Sequence, residues 1–152
     1  MENKKYQAII EIPEGDDRRR HFDKKQDKVV DVGPLKKAIP VNNGINPINY
    51  GFILNTKCPA DNDEVDVLVI SDQKRKIGEQ LEIFPIALIL RVDGDDKIVA
   101  TDLTTVNKYK KWQDISEEKR NLIQDFTSYH YTILSIGNSE KAKDYLEKHK
   151  IK

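Results

Sequence analysis

The sequence predicts an α+β domain that is mainly β: a small sheet or barrel comes first, and two helices pack on it afterwards. Three observations carry that expectation. Short runs rich in β-branched residues fill the first two thirds of the chain. Clusters of Gly, Pro and Asn separate them. Near Trp112 the apolar spacing changes from strand-like to helical. Residues 1–152 read as one domain, long enough to bury a real core.

Gln7 to Ile12 (QAIIEI) reads as a strand that stops at Pro13. Glu14 to Arg20 reads as a charged turn, and Lys28 to Val32 as a short second strand. Residues 33 to 49 hold Gly33, Pro34, Pro40, Asn42-Asn43-Gly44 and Pro47, so loop is expected there. Tyr50-Gly51-Phe52-Ile53 precedes an acidic cluster and a strand over Val65 to Ile70. Two more strands are predicted at Gln80 to Val92, interrupted by Pro85, and at Lys97 to Asp102. The acidic turn Asp93-Gly94-Asp95-Asp96 joins them. Ser116 caps a helix with an acidic first turn that carries Leu122, Ile123 and Phe126 at helical spacing. Ser139 begins the second helix, with Ala142, Tyr145 and Leu146 on one face.

Composition narrows the function classes. The 26 Lys and Arg residues cancel the 26 Asp and Glu residues, so no global field favours nucleic acid or an anionic membrane. The apolar stretch from Leu81 to Val92 contains Glu82 and Arg91 and is too short to span a bilayer. The N-terminal MENKKYQ has no apolar signal core. Cys58 is the only cysteine, which excludes an internal disulfide and suits a reducing compartment. A cytoplasmic protein is the expectation.

The chemistry concentrates in ADNDEVDVLVISD, residues 60 to 72, where Asp61, Asp63, Glu64 and Asp66 crowd against an apolar strand. Like charges this close repel, and burial disfavours ionised carboxylates, so either water or a cation must serve them. A calcium loop of the EF-hand kind fails, because Val65 and Asp66 stand where an oxygen ligand and a Gly are needed. A solvated acidic turn is the plainer alternative. Against it, Glu11 alternates with Ile10 and Ile12, and Asp93, Asp95 and Asp96 mark another strand end. A barrel can gather these ends into one acidic mouth. Oxygen-only donors suit Mg²⁺ or Mn²⁺ better than Zn²⁺. Lys97, Tyr50, Arg18 to Arg20 and Tyr129 add cations and phenols, the equipment of phosphoryl transfer to water.

Asp61-Asn62-Asp63-Glu64-Val65-Asp66-Val67 resembles the metal signature of the soluble family I inorganic pyrophosphatases throughout its length. Ile10-Glu11-Ile12-Pro13, Asn49-Tyr50-Gly51-Phe52, the Pro85 strand, Asp95-x-Lys97 and the Phe126 to Tyr129 helix continue the match in order, over roughly residues 9 to 148. The resemblance implies a five-stranded OB-like barrel with two flanking helices that hydrolyses inorganic pyrophosphate with Mg²⁺. It implies Asp61, Asp66, Asp93 and Asp95 as metal ligands, Glu11 as a weaker contributor, and Asp63 as general base. Arg19, Tyr50, Lys97 and Tyr129 are implied on the phosphate, and a homo-oligomer, a hexamer in similar bacterial proteins, is implied for the assembly.

The departures fall on the substrate side. Arg19 stands where the family has Lys, and His21 where it has Glu. Val32 replaces an Arg, Asn46 a Tyr, and His130 a Lys. A loop of Pro, Asn and Gly sets no position firmly, which argues against Lys36 or Lys37 restoring the charge lost at Val32. Two rival functions follow: hydrolysis of another phosphoanhydride, and a metal-binding homologue without turnover that acts through interaction.

Overall fold

The structure is a computed structural model that describes residues 6–151. Residues 1–5, on which the reading of the N-terminus rests, lie outside the described residues together with residue 152. Strands β1 (Tyr6–Ile12), β4 (Asn49–Ile53), β5 (Asp66–Ile70), β6 (Gln80–Arg91) and β7 (Lys97–Thr101) form the expected small barrel. They run in the order β1-β4-β5-β7-β6, and β1 also pairs with β6, which closes the ring. Strand β8 (Ile133–Gly137) continues the sheet beyond β6. Helices α2 (Glu117–Ser128) and α3 (Ser139–Lys148) flank it.

The ring is antiparallel except at β5 and β7, which run parallel with Asp66 opposite Lys97. Strand β6 serves three neighbours by length: Leu81 and Ile83 face β1, Phe84 to Ile89 face β7, and Leu88 to Arg91 face β8. Pro85 cannot donate to a ladder, and the chain accommodates it where the β6–β7 register shifts, between Pro85 and Ala87.

Alternation along the strands divides the core in two. Ala8, Ile10, Val67, Val69, Ile83, Leu88 and Ile98 join one cluster, completed by Ala142 and Leu146 of α3. Their neighbours Leu68, Ile70, Ala87, Ile89 and Val99 join the other, with Ile123 and Phe126 of α2 and the buried Trp112. Ser116 and Asn138 cap the two helices by accepting from Lys119 N and Lys141 N.

Three stretches differ from expectation. Arg18 to Arg20 belong not to a turn but to β2 (Arg18–Asp23), which pairs with β3 (Lys28–Pro34) in a separate two-stranded sheet. Its charged residues disguise it, because such a hairpin needs little apolar patterning. Residues 33 to 49 are not loop throughout: Leu35–Ala38 make a single helical turn, α1, and Val41–Gly44 a tighter one. Leu35, buried to 2% exposure beside Ile12 and Trp112, supplies the anchor. Strand β8 was not expected, because its Leu134 and Ser135 are exposed and hide the alternation.

Gly51 sits where β4 crosses β1 most closely. A Cβ there would lie 1.9 Å from the Ile9 carbonyl oxygen, which is backbone and cannot swing away. Gly51→Ala is expected to destabilise the protein by about 3 kcal/mol, the upper range for overpacking. A shift of that size in the urea midpoint, at unchanged slope, checks it.

Candidate active site

At one end of the ring the strand termini open into a cavity of about 640 Å³. Its walls include Glu11 from β1, Tyr50 from β4, Asp61, Asp63 and Glu64 from the following loop, Asp66 from β5, and Asp95 and Lys97 around the start of β7. Arg19, Arg20, His21 and Lys24 of the hairpin face them, with Lys37 of α1 and His130 and Tyr131 after α2. Carboxylates distant in sequence do therefore share one mouth.

Lys97 ties the acidic side together. Its Nζ donates to Asp66 Oδ2 at 2.5 Å and lies 3.1 Å from Asp95 Oδ1. Phe52 pairs with Asp66 across the β4–β5 ladder, so Tyr50, two residues earlier, emerges on the same face and its hydroxyl donates to Asp66 Oδ2 at 2.8 Å. Burial pushes the Asp66 carboxyl up, against the pull of Lys97. Burial and the Asp66 charge raise the Tyr50 phenol. Glu11 Oε2 accepts from Phe22 N at 2.7 Å, which pins the hairpin to the ring.

Among the described residues Glu11, Asp61 and Asp63 have no basic partner, whereas Glu64 lies 3.3 Å from Lys24 Nζ. Asp61 Oδ1 accepts from Asp63 N at 3.0 Å and so shapes the turn that presents both side chains. One ligand atom from each of Asp61, Asp95 and Cys58 falls within 4.8 Å of the others. Cys58 is a buried thiol, its ionisation disfavoured first by burial. A cavity with hard oxygen donors in excess of paired cations fits divalent metal ions.

Two expected residues stand elsewhere. Asp93 is off the cavity wall because Arg91 grips it, Nη2 to Oδ2 at 2.8 Å and Nε to Oδ1 at 3.1 Å. Tyr129 is also off the wall. Helix α2 ends at Ser128, and Tyr129 is half-exposed with its ring against His130, leaving His130 and Tyr131 to line the cavity. Sequence reasoning missed Arg91, which reaches Asp93, Asp95 Oδ2 at 3.4 Å and the Thr127 carbonyl at 3.0 Å. A lone guanidinium ending an apolar strand two residues before an acidic turn was the available signal.

Oxygen donors for divalent ions opposite a wall of cations define the class: a hydrolase of phosphate anhydrides that works with divalent metals. The comparisons agree. The inorganic pyrophosphatase family model matches residues 8–152. The inorganic pyrophosphatase of Nanoarchaeum equitans is 32% identical over 148 residues, covering 93% of this chain and 87% of that protein. The crystal structure of inorganic pyrophosphatase from Ehrlichia chaffeensis superposes with a TM-score of 0.83 at 26% identity, covering 97% of this chain and 96% of that one. An inorganic pyrophosphatase structure from Neisseria gonorrhoeae gives 0.80 at 27% identity, over 94% and 87%. The chain belongs to the inorganic pyrophosphatase family. No helix of the described residues is long and apolar enough to cross a membrane.

The metal-free site has a pH signature. Burial, reinforced by Asp66, Glu64 and Asp63 and opposed by the Phe22 N–H, lifts the Glu11 carboxyl from its ordinary 4.5 to about 7. The folded state then holds that proton more tightly than the unfolded chain, so stability falls as pH rises through this window. In chelator, the protein is expected to lose up to about 3 kcal/mol from this group between the two values. Glu11→Gln should flatten that part of the slope in denaturant midpoints measured across pH.

Proposed function

We propose that this chain hydrolyses inorganic pyrophosphate to two phosphates, using Mg²⁺ with Mn²⁺ as a substitute. The observation that carries the reading is the shared cavity: among the described residues Glu11, Asp61 and Asp63 have no basic partner there, and Arg19, Arg20, Lys37 and Lys97 stand around them. Asp61, Asp66 and Asp95 would hold the metal ions, with Glu11 alongside. When bound, divalent cations offset the carboxylate charge, polarise phosphoryl oxygens and make water acidic enough to attack near neutral pH.

The protein's own groups do the rest. Asp63, exposed at the cavity and oriented through its N–H bond to Asp61, takes the proton of the attacking water as general base. Arg19 and Lys97 donate charge-assisted hydrogen bonds to phosphate oxygens, and the Tyr50 hydroxyl donates beside them. Tyr131, over whose ring Arg91 lies at 5.2 Å, takes the place expected for Tyr129. Asp93 serves through Arg91, keeping it beside Asp95. The fold acts as one domain of a cytoplasmic protein, and its assembly into a homo-oligomer is supported by the exposed apolar side chains of Val92, Leu103 and Leu134.

A second reading is favoured by one residue. Val32, where the resemblance leads one to expect Arg, is 46% exposed and offers the substrate nothing, which suits a metal-binding relative with little turnover. Phosphate release from pyrophosphate, a nucleoside triphosphate and polyphosphate, with Mg²⁺ and with Mn²⁺, separates the two. Release from pyrophosphate is expected, and none from any substrate would sink the enzyme reading.

Asp63→Asn is expected to lower kcat by about 10²-fold or more, the scale of losing a general base, with little change in metal affinity. Asp66→Asn is expected to do the reverse to the ions, weakening Mg²⁺ binding sharply in calorimetric titration.

A further inference from the structure

We propose that Lys37, on the single turn of α1, is a pyrophosphate-binding residue that restores to the substrate wall the charge missing at Val32. This rests on the pyrophosphatase reading of the cavity and adds to it a residue from a segment whose composition argues against any fixed role.

The segment is held from several sides. Leu35 is buried at 2% exposure in the cluster that contains Ile12, Ile48 and Trp112. Leu35 N donates to the Asp17 carbonyl at 2.9 Å, which joins α1 to the hairpin, and Ile39 N closes the turn onto the Leu35 carbonyl at 2.8 Å. The Ala38 carbonyl can only accept, so His130 Nε2 donates to it, at 2.8 Å. On the other flank Gly44 packs so tightly on Lys36 that a Cβ at Gly44 would lie 2.7 Å from Lys36 Cβ. With Lys36 committed to that contact, the next side chain, Lys37, lines the cavity.

Pairing distinguishes Lys37 from most of the cations around it. Arg20 is bonded to Asp16, Lys24 lies beside Glu64, Arg91 holds Asp93, and Lys97 bridges Asp66 and Asp95. Among the described residues lining the cavity, Lys37 and Arg19 have no carboxylate within ion-pairing distance. An ammonium carries three donors and no acceptor on a flexible stem. Facing a site for a polyanion, it has phosphate oxygens as its natural acceptors. Val32 cannot play this part, but α1 begins at the end of the strand that carries it, so Lys37 resupplies the charge three residues after that strand ends at Pro34.

The test compares Lys37→Gln, Lys37→Arg and Lys36→Gln. Each chain is measured for steady-state pyrophosphate hydrolysis with Mg²⁺, and for calorimetric binding of the non-hydrolysable methylene analogue of pyrophosphate. Lys37 is exposed, so its replacement leaves the core intact. Lys37→Gln is expected to raise KM and weaken analogue binding by about tenfold, the scale of one charge-assisted hydrogen bond, with kcat nearly unchanged. Lys37→Arg should recover most of the affinity, and Lys36→Gln should match wild type. Unchanged KM and unchanged analogue affinity in Lys37→Gln overturn the role of Lys37 and leave the pyrophosphatase reading standing. A wild-type protein that binds the analogue but releases no phosphate overturns hydrolysis, and the analogue titration of Lys37→Gln still decides for or against Lys37. A wild type that binds no diphosphate overturns both.

Discussion

The pairing of Lys97 with Asp66 and Asp95 is the interaction on which the rest of the site depends. An ammonium at 4% exposure is costly unless compensated, and it is compensated here by two carboxylates that would themselves be costly alone. Only the parallel pairing of β5 and β7 sets Asp66 directly across from Lys97. That pairing in turn requires the chain to leave β5, run out along β6 and return, and the return is the acidic turn that delivers Asp95. The Tyr50 hydroxyl then closes on Asp66 from the opposite neighbour, β4. The cavity floor is thus a product of barrel topology, not of a local motif.

The barrel strands were legible because they are apolar. QAIIEI, Val65 to Ile70 and Lys97 to Asp102 announce themselves by β-branched runs, and observed bounds fall within a residue or so of expectation. The hairpin was not legible. Arg18 to Arg20 look like a charged turn, since a two-stranded ribbon over a cavity buries little and shows no alternation to read. Helix α1 was hidden behind the prolines and asparagines around it, and one side chain, Leu35, decided against them. Strand β8 was hidden because its consecutive residues Leu134 and Ser135 are both exposed, which breaks the alternation of a half-buried strand.

The site divides in the same way. Glu11, Asp66 and Lys97 sit on strands and Asp61, Asp63 and Asp95 on the loops that adjoin them, and all six line the cavity. Asp93 and Tyr129 do not reach the wall, and both lie on connecting segments, where a neighbour can redirect the chain. Arg91 takes Asp93, and beyond the end of α2 Tyr131 lines the cavity while Tyr129 does not, both being about half-exposed. Asp93 and Asp95 share one turn, and what separates them is the partner each meets: Arg91 holds both oxygens of Asp93, whereas Asp95 reaches Lys97.

This division has a chemical consequence. Metal ions demand ligands at nearly fixed separations, and the carboxylates sit mainly on the closed ring or its tight turns. Phosphate oxygens tolerate cations from several directions, and Arg19, Lys24 and Lys37 come from the separate hairpin and from α1. The hairpin meets the ring at defined points, through Phe22 N on Glu11 and the Phe22–Phe52 ring contact at 5.5 Å. Substitutions among its exposed cations would leave the core undisturbed, whereas a substitution at Asp66 or Lys97 would strand a buried charge. Of the departures from the family, Arg19, His21, Val32 and His130 lie on the hairpin or after α2, whereas Asn46 is buried and donates to the Ile12 and Pro13 carbonyls; none lies among the carboxylates of the ring. An exposed Val32 can be compensated by a lysine from the next element, but a lost Asp66 has no neighbouring strand position from which the same oxygen can be supplied.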